Sequence, residues 1–564
     1  MHADRRDGST ERTEAGATGR GYRGQGQRHR GRRAAAGGGV VAVLVASTLA
    51  ASAAGATAHD GPTGGLRHAV ADWPMGGRTL TNTRSNPDEW KIRPSNVSQL
   101  AVKWTFTAHG DTSATPAVVD GAVYVPDWGG YFSKLDARTG QVIWSRPISD
   151  YNGIPQSITR SNPTVVGNRI YFGDQNAPNG GQGAHLMAVD ATTGDLVWKA
   201  TLDTHFAAIL TGAPTVYRGV VYQGVASKEH AAAINPAYPC CTFRGSVQAL
   251  DAATGRLLWK TYTVPENGGQ PGYAGAAVWN APTLDPRTDT LYASTGNNYS
   301  LPQSVYDCEA TGKPAGECMA PGNHVDSVLA LDMRTGAIKW SVRDNRYDTW
   351  TVACLPGMPP QNCPPFPGED FDFGGSGTQL FRIHGPGGRL RTVVGAGQKS
   401  GVYWLFDART GEVIWKTQAG PAGVHGGMEW GTATDGRRIY VSNANTNHQP
   451  YALPNGQTTT GGVFAALDPA TGRILWQTAD PAGDETMGAV TTANGVMFAG
   501  SMSGHMYAID GATGRIRWDF LAAGSANGGA TIVDGTVYWG SGYNNRFIQR
   551  IGSTTFYAFS LRGR

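Results

Sequence analysis

The sequence predicts an all-β fold, an eight-bladed β-propeller, and three observations carry that prediction. The pattern Asp-x-x-Thr-Gly-x-x-x-Trp occurs seven times, at residues 136–144, 190–198, 251–259, 332–340, 407–415, 468–476 and 510–518. Near the two ends, residues 100–104 read as the Trp half of a further unit and residues 556–561 as the strand that precedes its Asp. The chain of 564 residues holds 79 Gly, 32 Pro and 16 Trp but only 16% charged residues, a composition of short strands and frequent turns. A repeat at long period with Gly-rich turns fits radial repetition, and blades shared between the termini leave no sheet edge open.

Each repeat is justified by local chemistry. The residue before every Asp is apolar (Leu135, Val189, Leu250, Leu331, Phe406, Leu467, Ile509), so the Asp closes a strand. Asp bonds its own backbone two residues on, and Gly takes a left-handed conformation without steric cost. The Trp then lands on a fixed face of the next strand, where its large apolar area is to be buried.

Taken in order, residues 1–58 read as an export signal: an Arg-rich start, an apolar run over 40–51 and an Ala-Thr-Ala ending at Ala58. Cleavage there gives a secreted or cell-envelope protein that does not span the membrane. Those residues carry nine Arg against four acidic residues, so the other 38 basic and 39 acidic side chains balance to −1, although the whole chain is +4. A nearly neutral body carries no electrostatic footprint for nucleic acid. Residues 59–99 form an irregular lead-in and residues 100–564 a single propeller. Its blade spacing stretches between residues 200 and 400, where long Pro-, Gly- and Cys-rich insertions mark the place to look for binding and catalysis.

All six cysteines lie beyond the signal. Proximity pairs Cys308 with Cys318 and Cys354 with Cys363. Cys240 and Cys241 are left adjacent, either bonded through a strained eight-membered ring or free. No Cys-x-x-Cys-His or zinc spacing occurs in the sequence, which leaves out haem c and structural zinc.

The chain resembles the pyrroloquinoline-quinone-dependent alcohol dehydrogenases, and within them the polyvinyl alcohol dehydrogenase subgroup. The motifs are Trp73-Pro74-Met75, Pro126-Asp127-Trp128, Tyr238-Pro239-Cys240-Cys241-Thr242-Phe243-Arg244-Gly245 and Asp370-Phe371-Asp372-Phe373-Gly374. The resemblance implies oxidation of an alcohol by hydride transfer to the quinone beside Ca²⁺, with a separate electron acceptor such as a cytochrome c. The secondary alcohols of polyvinyl alcohol are the candidate polymeric substrate. It implies that Thr211 contacts the quinone, that Trp279 stacks on it and that Lys399 places a cation against its oxygens. It makes Glu229, Asn297 and Asp372 the metal ligands, oxygen donors that suit a hard cation. Asp372 is the implied general base, with Asp370 the alternative two residues away. The extra Asp of lanthanide-binding members falls at Gly374 if Asp372 is the base, and at Asp372 if Asp370 is. The family's vicinal disulfide has no counterpart at Thr159-Arg160-Ser161. Cys240 and Cys241 would instead fold over the cofactor, and Arg160 would pair with a cofactor carboxylate. The other reading of the repeat is a non-catalytic propeller that binds or assembles proteins at the cell surface.

Overall fold

The computed structural model describes residues 72–564 apart from 176–181, 370, 424–425 and 545–548. The export signal and Asp370 therefore lie outside the described residues. Eight antiparallel four-stranded blades follow one another along the chain, and the sheets of blades 3 and 7 each carry a fifth strand. Blade 1 consists of Ala117–Val119, Ala122–Pro126, Tyr131–Asp136 and Val142–Pro147. Blades 2 to 7 repeat that meander. Blade 8 takes Thr531–Val533, Thr536–Gly540 and Thr555–Leu561 from the C-terminal end and Leu100–Thr107 from the N-terminal end. The two ends pair antiparallel, Leu100 opposite Leu561 and Thr107 opposite Thr555. The shared blade expected from the sequence is therefore formed.

The repeat does more than turn the chain. Each Trp indole donates to a backbone carbonyl of the following unit: Trp104 to Ala137 at 3.2 Å, Trp198 to Ala252 at 3.0 Å, Trp476 to Gly511 at 3.0 Å, and Trp518 across the closure to Leu100 at 2.9 Å. The repeat Gly lies under the preceding blade's indole: a methyl group on Gly140 would come within 2.6 Å of Trp104, and one on Gly255 within 2.6 Å of Trp198. This Gly is thus required twice, for its positive φ (74° at Gly140) and for the flat ring against it. The Trp docks blade to blade, a role that a strand-face reading of the nine residues does not contain.

The repeat Asp works as expected. Asp136 Oδ1 accepts from the Thr139 amide (2.8 Å), the Thr139 hydroxyl (2.7 Å) and the Arg138 amide (3.1 Å). Chiefly through the Thr hydroxyl, these bonds hold the Asp136 and Asp251 carboxyls below their ordinary value of 3.8, and Asp190, Asp332, Asp407 and Asp510 are lowered too. The folded state binds fewer protons at these turns than the unfolded chain. Their stabilisation is therefore complete above the unfolded value and is lost as pH falls through the lowered ones. We expect an acid-unfolding limb that begins near pH 4 and steepens below it. Melting temperature against pH checks this, and Thr139→Val should move the limb to higher pH at a cost of about 1 kcal/mol.

The lead-in is irregular but not loose. It runs along the innermost strands and bonds to blade after blade. Trp73 pairs with Val118 of blade 1, and the Pro74 carbonyl accepts from Val165 of blade 2. The carbonyls of Leu80, Thr81 and Thr83 accept from Leu284, Leu380 and Thr434 of blades 4, 5 and 6. Ser85–Asn86 then pairs parallel with blade 7, and Asn86 Nδ2 reaches the Ile532 carbonyl of blade 8 at 2.8 Å. Among the described residues, no helix is long and apolar enough to cross a membrane.

Antiparallel blades put all loops between second and third strands, and all links from one blade to the next, at the same end of the propeller. The insertions leave from these places: 228–245 within blade 3, 295–326 within blade 4 and 344–377 between blades 4 and 5. They carry the bonded pairs Cys240–Cys241, Cys308–Cys318 and Cys354–Cys363. Every sequence-predicted site residue in the described chain belongs to this end.

Candidate active site

Trp279 lies in the link entering blade 4, and three elements fix it. The Thr211 hydroxyl, from the link entering blade 3, donates to its carbonyl at 2.7 Å. Trp430, from the link entering blade 6, meets its ring edge to face at 5.0 Å. Gly374 and Gly375 lie against the indole, where any Cβ would overlap it. An Asp at position 374 would thus displace Trp279. Thr211 is a positioning group for Trp279 in this geometry.

Asp372 is buried, and its backbone is pinned from both sides. The Lys399 amide donates to its carbonyl at 3.0 Å, and the next residue, Phe373, donates to the Thr295 carbonyl at 3.2 Å. Its Oδ1 accepts the Gly374 amide, and Oδ2 stands 3.7 Å from Lys399 Nζ. A methyl group on Gly296 would fall within 2.6 Å of that carboxylate, so a glycine directly before Asn297 is what lets Asp372 approach. Lys399 Nζ is also 5.2 Å from the Trp279 ring centroid. Asp372, Lys399 and Trp279 therefore meet around one ring face.

Asn297 donates through Nδ2 to the Asn298 carbonyl (2.9 Å) and the Trp350 carbonyl (3.0 Å), which turns its Oδ1 the other way. Glu229 is fully buried and already engaged. Its Oε1 accepts from the Tyr238 hydroxyl (2.5 Å) and the Thr242 amide (2.7 Å), with His205 Nε2 at 3.3 Å; Oε2 accepts the Phe243 amide (2.9 Å). Burial by itself would raise the carboxyl, but the His205 contact and the Tyr238 and Thr242 hydrogen bonds outweigh it and hold it below its ordinary value. Glu229 thereby anchors the loop that carries Cys240–Cys241. That pair shares a packed cluster with Phe243, Tyr299 and the flank of Trp279. Tyr299 is the common neighbour: burial, then Glu229 and Asp372, push its hydroxyl up, while Lys399 draws it down.

Arg160 is held by aromatic rings. Its guanidinium is 3.8 Å from the Trp430 centroid, 5.1 Å from Tyr543 and 5.5 Å from Trp128, and it donates to the Tyr543 hydroxyl at 3.1 Å. Sequence reasoning passed over three further residues. Lys228 is an exposed residue with much protein around its amine, and desolvation followed by the charge of Arg160 lowers that amine to about 8. His230 is lowered to about 4, mainly by burial and then by Lys399 and Lys228, so its ring is neutral. Trp430 falls outside the nine-residue repeat, the same signal that singles out Trp279. Lys228 and His230 flank Glu229 directly, and charge at those positions was the clue. Arg160, Lys228 and Lys399 bring three cations to this end of the propeller, beside the carboxylates of Asp372, Glu229 and the buried Glu429. Among the described residues no three His, Cys, Asp or Glu side chains form a ready metal cage.

Comparison with known proteins finds likenesses over most of the chain. Residues 73–354 match the family model "Glucose/ethanol/alcohol dehydrogenase, beta-propeller domain". Residues 398–551, mostly regular blades, match the model of an outer membrane protein assembly factor. The chain is 31% identical to a polyvinylalcohol dehydrogenase of a Pseudomonas species, over 87% of this chain and 75% of that one. It is 30% identical to the polyvinylalcohol dehydrogenase of Sphingopyxis sp. (strain 113P3), over 80% and 70%. Among solved structures, the quinohemoprotein alcohol dehydrogenase of Comamonas testosteroni superposes with a TM-score of 0.64 at 21% identity, covering 88% of this chain and 81% of that one.

Proposed function

The chain belongs to the pyrroloquinoline-quinone-dependent alcohol dehydrogenase family, and on that premise we propose that it oxidises secondary alcohol groups of a polymer such as polyvinyl alcohol, with Asp372 as general base. The observation that carries this reading is the meeting of Asp372 Oδ2 and Lys399 Nζ at 3.7 Å beside the Trp279 ring. The likeness to two polyvinylalcohol dehydrogenases supports the substrate class.

The chamber suits a flat, anionic group: one aromatic face, cations from Arg160, Lys228 and Lys399, and a half-buried Cys240–Cys241 wall. Pyrroloquinoline quinone, when bound, supplies the two-electron acceptor that takes the hydride from the alcohol carbon. Trp279 offers the stacking face, and Thr211 holds that face in place through the Trp279 carbonyl. Lys399 sets its ammonium 3.7 Å from the Asp372 carboxylate. Asp372 then accepts the hydroxyl proton at Oδ2 as the C–H bond is broken. Lys399 also sets positive charge where negative charge develops. Water is kept from this face by Trp430, Trp279 and the Cys240–Cys241 wall.

Asp372 and Asn297 are the oxygen donors we assign to a Ca²⁺ ion. Glu229 would be the third donor, its carboxylate also holding the Thr242 and Phe243 amides of the Cys240–Cys241 loop. Residues 1–58 direct export, and electrons leave to a separate acceptor such as a cytochrome c.

Two measurements test this. Adding the quinone with Ca²⁺ to purified protein should quench tryptophan fluorescence stoichiometrically, and Trp279→Ala should weaken that affinity by about 10- to 100-fold, the loss of one stacking face. Removing Ca²⁺ with a chelator should weaken it as well, whereas Glu229→Gln should lower the melting temperature even without quinone. A folded protein that neither binds the quinone nor oxidises alcohols would return the chain to the binding-scaffold reading.

A further inference from the structure

Around the propeller axis is a narrow cavity bordered by Arg160, Thr211, Trp279 and Trp430, and by Arg84 from the lead-in. Arg84 differs from Arg160 and Arg244. Arg160 is enclosed by three rings, and Arg244 stacks on Tyr262 and pairs with Glu266 at 2.5 Å. Arg84 is 2% exposed, and its Nε and Nη1 have no hydrogen-bond partner. No acidic side chain among the described residues acts on it, and desolvation alone lowers its guanidinium to about 10. It is still a full cation at neutral pH.

The fold goes out of its way to put that charge there. The Arg84 backbone is left-handed, at φ 51°, while its carbonyl accepts from Thr492 at 2.9 Å. Gly431, at φ 125°, lets the guanidinium pass, since any Cβ at that position would overlap Arg84 Nε. An unpaired buried cation is strongly unfavourable, so structures that keep one supply it with a counter-charge. Two more buried polar groups on the cavity wall lack partners: the Ser113 hydroxyl and the Asn527 amide oxygen. The hydroxyl can donate into the cavity, and a half-turn of the amide presents Nδ2 instead of Oδ1.

We propose that this axial cavity is an anion-binding site, with Arg84 as its charge and Ser113 and Asn527 as its neutral donors. The room inside is about 20 Å³. One water needs roughly 10–15 Å³, so the occupant is halide-sized or a single carboxylate oxygen pair. A free inorganic anion fills it in the quinone-free protein. In the loaded protein the same place is open to a carboxylate of the cofactor, because Trp279 and Arg160 share the wall.

Quinone-free crystals soaked in sodium bromide test the site directly. Anomalous scattering should place bromide within hydrogen-bond reach of Arg84 Nε or Nη1. In solution at constant ionic strength, replacing sodium gluconate by about 200 mM sodium chloride should raise the melting temperature by about 3 °C. Arg84→Met should remove that chloride dependence and Arg84→Lys should retain it. Adding quinone separates the two sources: bromide that stays identifies a free inorganic anion, and bromide that leaves in proportion to quinone bound identifies a cofactor carboxylate. Absence of bromide at Arg84 in the quinone-free crystal overturns the proposal, and does so even if Arg84→Met fails to fold. None of these readouts requires the protein to oxidise an alcohol, so failure here leaves the dehydrogenase reading standing, and the reverse.

Discussion

Asp372→Asn is expected to lower kcat for alcohol oxidation by about 10³-fold, the middle of the range for removing a positioned general base. The amide keeps the shape and can still accept the Gly374 amide, so the melting temperature should change little and quinone quenching of tryptophan fluorescence should persist. A loss of kcat with folding and quinone binding intact is the signature of a group needed for the proton transfer. Asp370→Asn is the control, since Asp370 is the alternative base two residues away in the sequence. If Asp370→Asn loses activity and Asp372→Asn does not, the base is Asp370. Lys399→Met should also impair turnover, because it removes the cation 3.7 Å from Asp372 Oδ2.

The largest effect on stability is expected at the closure. Phe559→Ala should cost about 4 kcal/mol, the usual consequence of deleting a fully buried aromatic ring. Phe559 is 0% exposed, on the strand that joins the two ends of the chain. It packs 5.0 Å from Trp518 and 4.9 Å from Phe520, both of blade 7, and pairs with Val102 of the N-terminal strand. The substitution therefore opens a cavity in the core cluster that ties blades 7, 8 and 1 together. A loss of that size approaches the whole net stability of many domains. Urea unfolding measures it. Val102→Ala, at the exposed partner position on the N-terminal strand, is the comparison and should stay within about 0.5 kcal/mol. Equal losses at the two positions would mean that the closure is not where the ring derives its strength.

Much of the site was legible because several of its residues break the periodicity around them. Trp279 stands outside the repeat, Asp372 lies in a long insertion, and Lys399 joins two strands of a regular blade. Their types pointed to stacking, proton transfer and charge, and the fold brings the three together. Glu229 shows what such reading leaves out. Its position in the chain suggests a ligand, and the structure adds that thirteen and fourteen residues later the chain returns amides of Thr242 and Phe243 to its carboxylate. Thr211 likewise looks like a cofactor contact, and the sequence gives no sign that its hydroxyl donates to the Trp279 carbonyl 68 residues away.

By itself, then, the sequence determined the blade count, the turn chemistry and the pairing of the ends. These depend on interactions within about nine residues, or on two half-repeats that complete each other, and both survive as patterns along the chain. Only the tertiary structure decided that each Trp docks on the next blade's Gly, and that Glu229 anchors a loop. It also decided that the lead-in threads seven blades and leaves Arg84 buried beside the axis. Those outcomes rest on contacts between residues tens to hundreds of positions apart. A close approach such as Gly431 against Arg84, or Gly296 against Asp372, exists only after the ring has closed. Burial then changes what a side chain does: in water Arg84, Lys228 and His230 are ordinary polar residues, and inside the propeller their desolvation makes each a constraint on what can bind.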